Sequence, residues 1–223
     1  MKIIARIHTG FKEKFGIPRQ SGLIEEAAGQ IVFKKEYSVP EAFRGLEEYS
    51  HIWILWKFSK AEREDWSPTV RPPLLGGNKR MGVFATRSPF RPNPVGLSCV
   101  RLEKIEKTDS GIILHVRGAD LLDGKPIYDI KPYLPYADSY PDAAAGFTET
   151  LEERKVAVEI ECDSFYKIPE EKQKEIIKIL SLDPTPSYKE DGREYGIKYA
   201  DYEIKFSKNG KMIHIISLEA TKN

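Results

Sequence analysis

Cysteine is scarce in this sequence: Cys99 and Cys162, far apart, are the only two in a chain of 223 residues. A disulfide framework is excluded, and a reducing cytoplasm is the expected compartment. No two glycines stand one residue apart, so G-x-G-x-x-G and kinase-type phosphate loops are both excluded. The G-x-x-x-x-G-K-[ST] loop is missing too. The four histidines (His8, His51, His115, His214) and two cysteines lack metal-ligand spacing, so no metal is expected. His51 beside an apolar strand and His115 within one read as structural, and Cys99 as a buried apolar filler. No run approaches the roughly 18 to 20 apolar residues of a membrane span. The opening MKIIARIHTGFKEKFG turns charged too soon for a secretory signal. Net charge is only +1, so any anion site must be a local concentration of Lys and Arg.

What is present is mostly strand. Residues 2–9 and 30–37 carry β-formers, and SHIWILWKFS (50–59) is an unbroken apolar run, read as a strand buried on both faces. MGVFATR (81–87) reads as a strand running into a proline-rich loop. Residues 97–109 and 111–120 form a hairpin through Asp109, Ser110 and Gly111. PIYDIKPYLPYADSY (126–140) starts as a strand and dissolves into a Pro/Tyr loop. PDAAAGF (141–147) is a linker. Beyond it come a strand (153–162), a helix (168–183) with Pro169 near its first position, and a hairpin (196–220) turning at Asn209-Gly210. Ile176, Ile177 and Leu180 share one side of that helix. The predicted fold is mainly β: a β-barrel or rolled sheet over 1–145 and a small α+β domain over 150–223.

One loop stands out. In RSPFRPNPVGLS (87–98), Pro89, Pro92 and Pro94 stiffen a ribbon that displays Arg87, Ser88, Arg91 and Asn93. Donors ordered beforehand bind carboxylate or phosphate at a lower entropic cost. The plain alternative is a rigid surface loop whose arginines only meet water. Two further loops favour a ligand site: FGIPRQSG offers Arg19 and Gln20, and LLDGKPIYDIKPY offers Asp123, Lys125, Asp129 and Lys131. Asp123-Gly124 also suits an ordinary turn, and the lysines suit solvated surface. Converging polar groups at a barrel mouth make a usual ligand site.

These segments carry a resemblance. KEKFGIPRQSGL, FRGLEEYSHIWILWKF, TVRPPLLGGNKRMGVFATRSPFRPNPVGLS, DLLDGKPIYDIKPYLPYADS and LDPTPSY together resemble the TrmO (YaeB/TsaA-like) tRNA methyltransferases along nearly the whole chain. The resemblance implies a single-sheet barrel that binds S-adenosylmethionine without a Rossmann fold. It also implies a homodimer with the cofactor near the subunit interface, and a small C-terminal domain from about residue 150. The implied reaction methylates N6 of threonylcarbamoyl-adenosine, just 3′ of certain tRNA anticodons. The implied cofactor contacts are Pro18, Arg19, Gln20, Phe58, Ser59, Arg87, Leu97, Asp120, Leu122, Asp123 and Gly124. Many members have Thr where this chain has Lys125, and the family's D-P-R-P-A-Y is here Asp183-Pro184-Thr185-Pro186-Ser187-Tyr188.

The chemistry assigns further roles. N6 is conjugated and a poor nucleophile, so it must lose its proton; Asp123 and Asp129 are the candidate bases. Arg87 or Arg91 would grip the threonine carboxylate or a phosphate, with Asn93 beside them in the catalytic group. Lys131, Tyr133 and Tyr136, with neighbouring Tyr128 and Tyr140, are candidate substrate contacts, since anticodon-loop bases stack on aromatic rings. Lys189, Arg193 and Lys198 are candidate tRNA-backbone contacts. Two other readings stay open: a non-catalytic RNA-binding barrel, and a methyltransferase with another substrate.

Overall fold

The alternation of buried and exposed side chains along the early strands gives the sheet one apolar face, which closure turns into an interior. In the computed structural model, which describes residues 1–59, 66–72, 75, 78–149, 155–185 and 192–221, six antiparallel strands form a closed barrel. They are β1 (Ala5–Thr9), β2 (Ala28–Phe33), β3 (His51–Lys57), β6 (Val95–Thr108), β7 (Gly111–Arg117) and β8 (Lys125–Pro132), in the order β1-β2-β7-β6-β3-β8. Closure removes the unpaired edges an open sheet would expose. Two short strands, β4 (Thr69–Val70) and β5 (Met81–Gly82), pair outside it.

β6 organises the barrel. Its first half pairs with β3 (Lys57↔Val95 to His51↔Arg101), and its second half pairs with β7 after a shift near Leu102. Inward-facing Ile7, Ile31, Ile52, Ile54, Val100, Leu114 and Ile127 fill the interior. β3 departs from expectation. Its inner row (Ile52, Ile54, Trp56) is buried, but Trp53, Leu55 and Lys57 are only half-buried outside. A single closed sheet has one interior, so a continuous apolar run need not be covered twice. Residues 81–87 also differ: after Met81–Gly82 the chain makes a 3-10 turn, Val83–Ala85. Cys99 is half-buried on the outward row of β6, where its amide donates to Ser21 Oγ at 3.0 Å.

After β8 come a short helix α1 (Pro135–Asp138), strand β9 (Ala157–Ile160) and helix α2 (Glu170–Ser181). Pro169 is the residue just before α2, and the buried apolar residues of the helix are Ile176, Ile179 and Leu180 rather than Ile177. Then β10 (Glu194–Tyr199), β11 (Tyr202–Asn209) and β12 (Met212–Ala220) complete a sheet of order β10-β11-β12-β9. The predicted hairpin is therefore a three-strand meander. Its extra turn passes through Ala200 at φ +50, a conformation no turn residue in the sequence announced. Helix α2 covers this sheet, and loop residues Phe11, Ile24 and Ala27 of the barrel join the same core.

Candidate active site

Three loops and two strand ends meet at one mouth of the barrel. Each is fixed by backbone hydrogen bonds: Pro94 O accepts from Phe58 N at 2.9 Å, tying the proline loop to the end of β3. Arg91 Nη1 turns inward on that same loop, donating to Thr86 O at 2.7 Å and, at longer range, to the Val83 and Ser88 carbonyls. Its guanidinium carbon lies 5.7 Å from the Phe84 ring. So one arginine of the R-S-x-x-R pattern staples the loop. The other, Arg87, crosses to the opposite loop, where Nη1 donates to Gln20 Oε1.

Between these walls lies a cavity of about 520 Å3. That volume is within the range of small-molecule sites, about 300 to 1,000 Å3. Pro18, Arg19 and Gln20 line one side; Arg87, Arg91 and Leu97 another; Phe58, Asp120 and Leu122 the floor. Ser59, Asn93, Asp123, Gly124, Asp129, Lys131, Tyr133 and Tyr136 fall outside this lining.

The structure gives those outlying residues other partners. Asp123 accepts the Thr9 amide at 3.1 Å and the Lys12 ammonium at 3.0 Å, with His8 Nδ1 at 3.3 Å. Burial alone would raise its carboxyl, but Lys12, the Thr9 amide and His8 hold it below the usual range. Gly124 makes the turn at φ +74 and its carbonyl accepts from Arg6 Nη1 at 2.7 Å. Asp129 pairs with Lys131 at 3.1 Å on the outside of β8. Tyr133 packs on Trp53 and His51, with centroids 5.7 and 6.3 Å away, and Tyr136 is almost fully exposed on α1. Asn93 and Ser59 are exposed in their loops. Arg193 lies by the Tyr195 ring at 5.9 Å. Pro186, Ser187, Tyr188 and Lys189 lie outside the described residues.

The lining also takes in residues that the sequence did not single out, Trp56 and Gly96 among them, and Ser98, bonded to Asp120, supports it from behind. Trp56 fills the space over Gly96, where an added Cβ would sit 2.3 Å from the indole. Its Nε1 donates to Ser98 Oγ at 3.0 Å, and Ser98 Oγ donates to Asp120 Oδ1 at 2.6 Å. Lys125, which the sequence offered either to a ligand site or to solvated surface, lines the cavity and is buried, with its ammonium 5.4 Å from the Trp56 ring and 5.8 Å from that of Phe58. Gly96, Ser98 and Val100 alternate inward along β6, so a polar residue at inward parity was the available signal for Ser98. Asp120 is the only carboxylate lining the cavity among the described residues. Burial pushes its carboxyl up to about 6, against the opposing pull of the Ser98 hydroxyl and the Arg87 charge.

A second cleft, of about 1240 Å3, opens beside the first and shares Lys14, Arg19, Gln20 and Arg87 with it. Lys155, Leu182, Asp183 and Pro184 of the C-terminal region form its far wall. There Asp183, at φ +48, holds Thr185 Oγ1 at 2.6 Å and Lys208 Nζ at 2.7 Å.

The tRNA-methyltransferase O N-terminal domain matches residues 6–139, and the TrmO C-terminal domain matches residues 153–221. The chain belongs to the TrmO family. It is 40% identical over 225 residues to a tRNA (adenine(37)-N6)-methyltransferase of Escherichia coli K12, covering 97% of this chain and 96% of that one. It is 41% identical over 210 residues to a putative S-adenosylmethionine-dependent methyltransferase of Pseudomonas aeruginosa, covering 90% and 89% of the two chains. The crystal structure of TrmO from Pseudomonas aeruginosa superposes with a TM-score of 0.79 at 33% identity, covering 98% of this chain and 97% of that one. TrmO membership, the barrel and its cavity thus converge on one mouth.

The donor set fits S-adenosylmethionine. Two aromatic faces (Trp56, Phe58) suit a purine or a sulfonium. A half-buried carboxylate lines the same cavity, and guanidiniums at the rim suit a carboxylate group.

Proposed function

We propose that this chain is an S-adenosylmethionine-dependent tRNA methyltransferase. It places a methyl group on N6 of the adenosine at position 37, in its threonylcarbamoyl form. The observation that carries this reading is the cavity at the barrel mouth, built from the loops that define TrmO and in a chain aligned end to end with a tRNA (adenine(37)-N6)-methyltransferase. When bound, S-adenosylmethionine supplies an activated methyl group on a good leaving group.

The residues of the chain do the rest. Pro18, Arg19 and Gln20 hold one wall, and the Arg87–Gln20 hydrogen bond fixes the gap between the two loops before any ligand enters. Trp56 and Phe58, with ring centroids 4.2 Å apart, provide aromatic faces against which the cofactor packs. Alignment of the acceptor is the main demand and supplies about 7 kcal/mol or more in favourable cases. The larger cleft, with Lys14, Arg19, Arg87 and Lys155 on its walls, seats the anticodon loop, so that base 37 reaches the shared wall. Half-exposed Leu97 at the cavity rim leaves one side open, and a second copy of the chain closes it in a homodimer. Among the described residues no helix is long and apolar enough to cross a membrane. We place the reaction in the cytoplasm, with its tRNA substrate.

Mass spectrometry of threonine-tRNA nucleosides from a deletion strain tests the assignment. Loss of the N6-methylated threonylcarbamoyl nucleoside, restored by this chain, is expected; an unchanged nucleoside profile refutes it.

A further inference from the structure

We propose that Asp120, held by Ser98 on the cavity floor, takes the proton from the acceptor nitrogen as the methyl group is transferred. The inference rests on the methyltransferase reading above and names the base it needs. Three observations carry it. Asp120 is the only carboxylate lining the cavity among the described residues, and Asp123 and Asp129 are turned to other partners. It is half-buried, so an acceptor N–H placed there meets an oxygen with less competing water. It is also aimed: Trp56 Nε1 holds Ser98 Oγ at 3.0 Å, and Ser98 Oγ holds Oδ1 at 2.6 Å, which fixes the carboxylate plane.

The step balances. The N6–H proton passes to Asp120, the nitrogen electrons form the bond to the methyl carbon, and the carbon–sulfur pair stays on sulfur. One positive and one negative charge vanish together, so charge separation in the buried site falls as the reaction proceeds. The carboxyl, raised by burial to about 6, is ionised at pH 7.5 yet a far better proton acceptor than a surface aspartate. The charged groups that line the cavity with it are Lys14, Arg19, Arg87 and Arg91 on the loops and Lys125 on β8. Arg87 lowers its affinity for the proton, as does the Ser98 hydroxyl.

The test uses the full chain with S-adenosylmethionine and threonine tRNA bearing threonylcarbamoyl-adenosine. In Asp120→Asn, the single-turnover rate at pH 7.5 should fall at least about 100-fold, while cofactor affinity by calorimetry stays within about threefold. The wild-type rate should fall below pH 6 as one group protonates, and carbon-13 NMR of the cofactor-free protein should show one aspartate carboxyl titrating there, absent from Asp120→Asn. Ser98→Ala, a second variant that keeps the carboxylate, should move that acid limb and that NMR titration to higher pH. A loss below about tenfold, or a cofactor affinity that falls in proportion to the rate, overturns the inference; the second result would make Asp120 a cofactor clamp. So would an acid limb that Ser98→Ala leaves in place. An inactive wild type overturns the methyltransferase reading as well, whereas an active wild type with an equally active variant overturns this inference alone.

Discussion

Replacing Asp120 by asparagine removes a titratable carboxyl from the cavity while nearly keeping its shape, and this has a consequence for folding that needs no substrate. In the unfolded chain the carboxyl ionises near 3.8; in the folded one it keeps its proton to about 6. Between those values the folded state binds more protons than the unfolded state, so stability falls as pH rises. The contribution is fully present below 3.8 and gone above 6. At about 1.4 kcal/mol per pH unit the whole interval is worth about 3 kcal/mol, of which about 2 kcal/mol falls between pH 4.5 and 8.

Wild type should therefore lose about 2 kcal/mol relative to Asp120→Asn across that range. Every other titrating group is common to both proteins and cancels in the difference. Equilibrium urea unfolding followed by tryptophan fluorescence suits the measurement, because Trp53 and Trp56 both lie on β3. A stability difference that stays constant between pH 4.5 and 8 would refute the reasoning. The carboxyl would then be ionised in both states and the cavity floor wetter than its burial implies.

Two further substitutions probe the cores. Gly96→Ala puts a Cβ 2.3 Å from the Trp56 ring and should cost about 1 to 3 kcal/mol; a redder tryptophan emission would report the displaced indole. Glu175 is fully buried on the inner face of α2, with Oε2 accepting from Lys172 Nζ at 2.6 Å and from the Tyr199 hydroxyl at 3.1 Å. Lys172→Ala leaves that charge without its cation and should destabilise by roughly 3 kcal/mol in thermal unfolding, with Glu175→Gln on the same background restoring part of the loss.

Much of the fold was legible because a barrel strand has period two. The residues of β1, β7 and the first half of β6 alternate cleanly, and Gly111 at φ +131 marks the turn between β6 and β7. The loops of the site were legible through proline, which restricts the chain wherever it occurs. What escaped depends on closure. Whether Trp53 is covered, or Lys125 buried against Trp56 and Phe58, follows from which strands neighbour one another, and β8 reaches β3 only once the sheet closes. The Trp56–Ser98–Asp120 chain joins β3, β6 and the β7–β8 loop. No local pattern announces a contact between residues so far apart in sequence. The extra turn at Ala200 was hidden because alanine carries no preference for positive φ.

The C-terminal domain bears on the cofactor wall through packing. The loop carrying Pro18, Arg19 and Gln20 is anchored in the second core: Phe15 stacks near Tyr195 and Phe206, at 6.1 and 6.4 Å, and Phe11 lies 5.1 Å from Tyr199. Gly10, at the root of that loop, lies against the Tyr199 ring, where an added Cβ would sit 2.6 Å away. The ring cannot swing aside, because its hydroxyl is held by buried Glu175 and its body is 2% exposed. Gly10 O also accepts the Ala200 amide at 2.7 Å, so the backbone is pinned as well. Gly10→Ala must therefore shift the loop root itself, at a cost of about 1 to 3 kcal/mol. If the loop transmits that shift, S-adenosylmethionine affinity falls severalfold along with the melting temperature, although residue 10 lies outside the cavity lining. A lowered melting temperature with unchanged affinity would show that Pro18–Gln20 hold their place through Arg87 alone, and that the second core stabilises the chain without shaping the site.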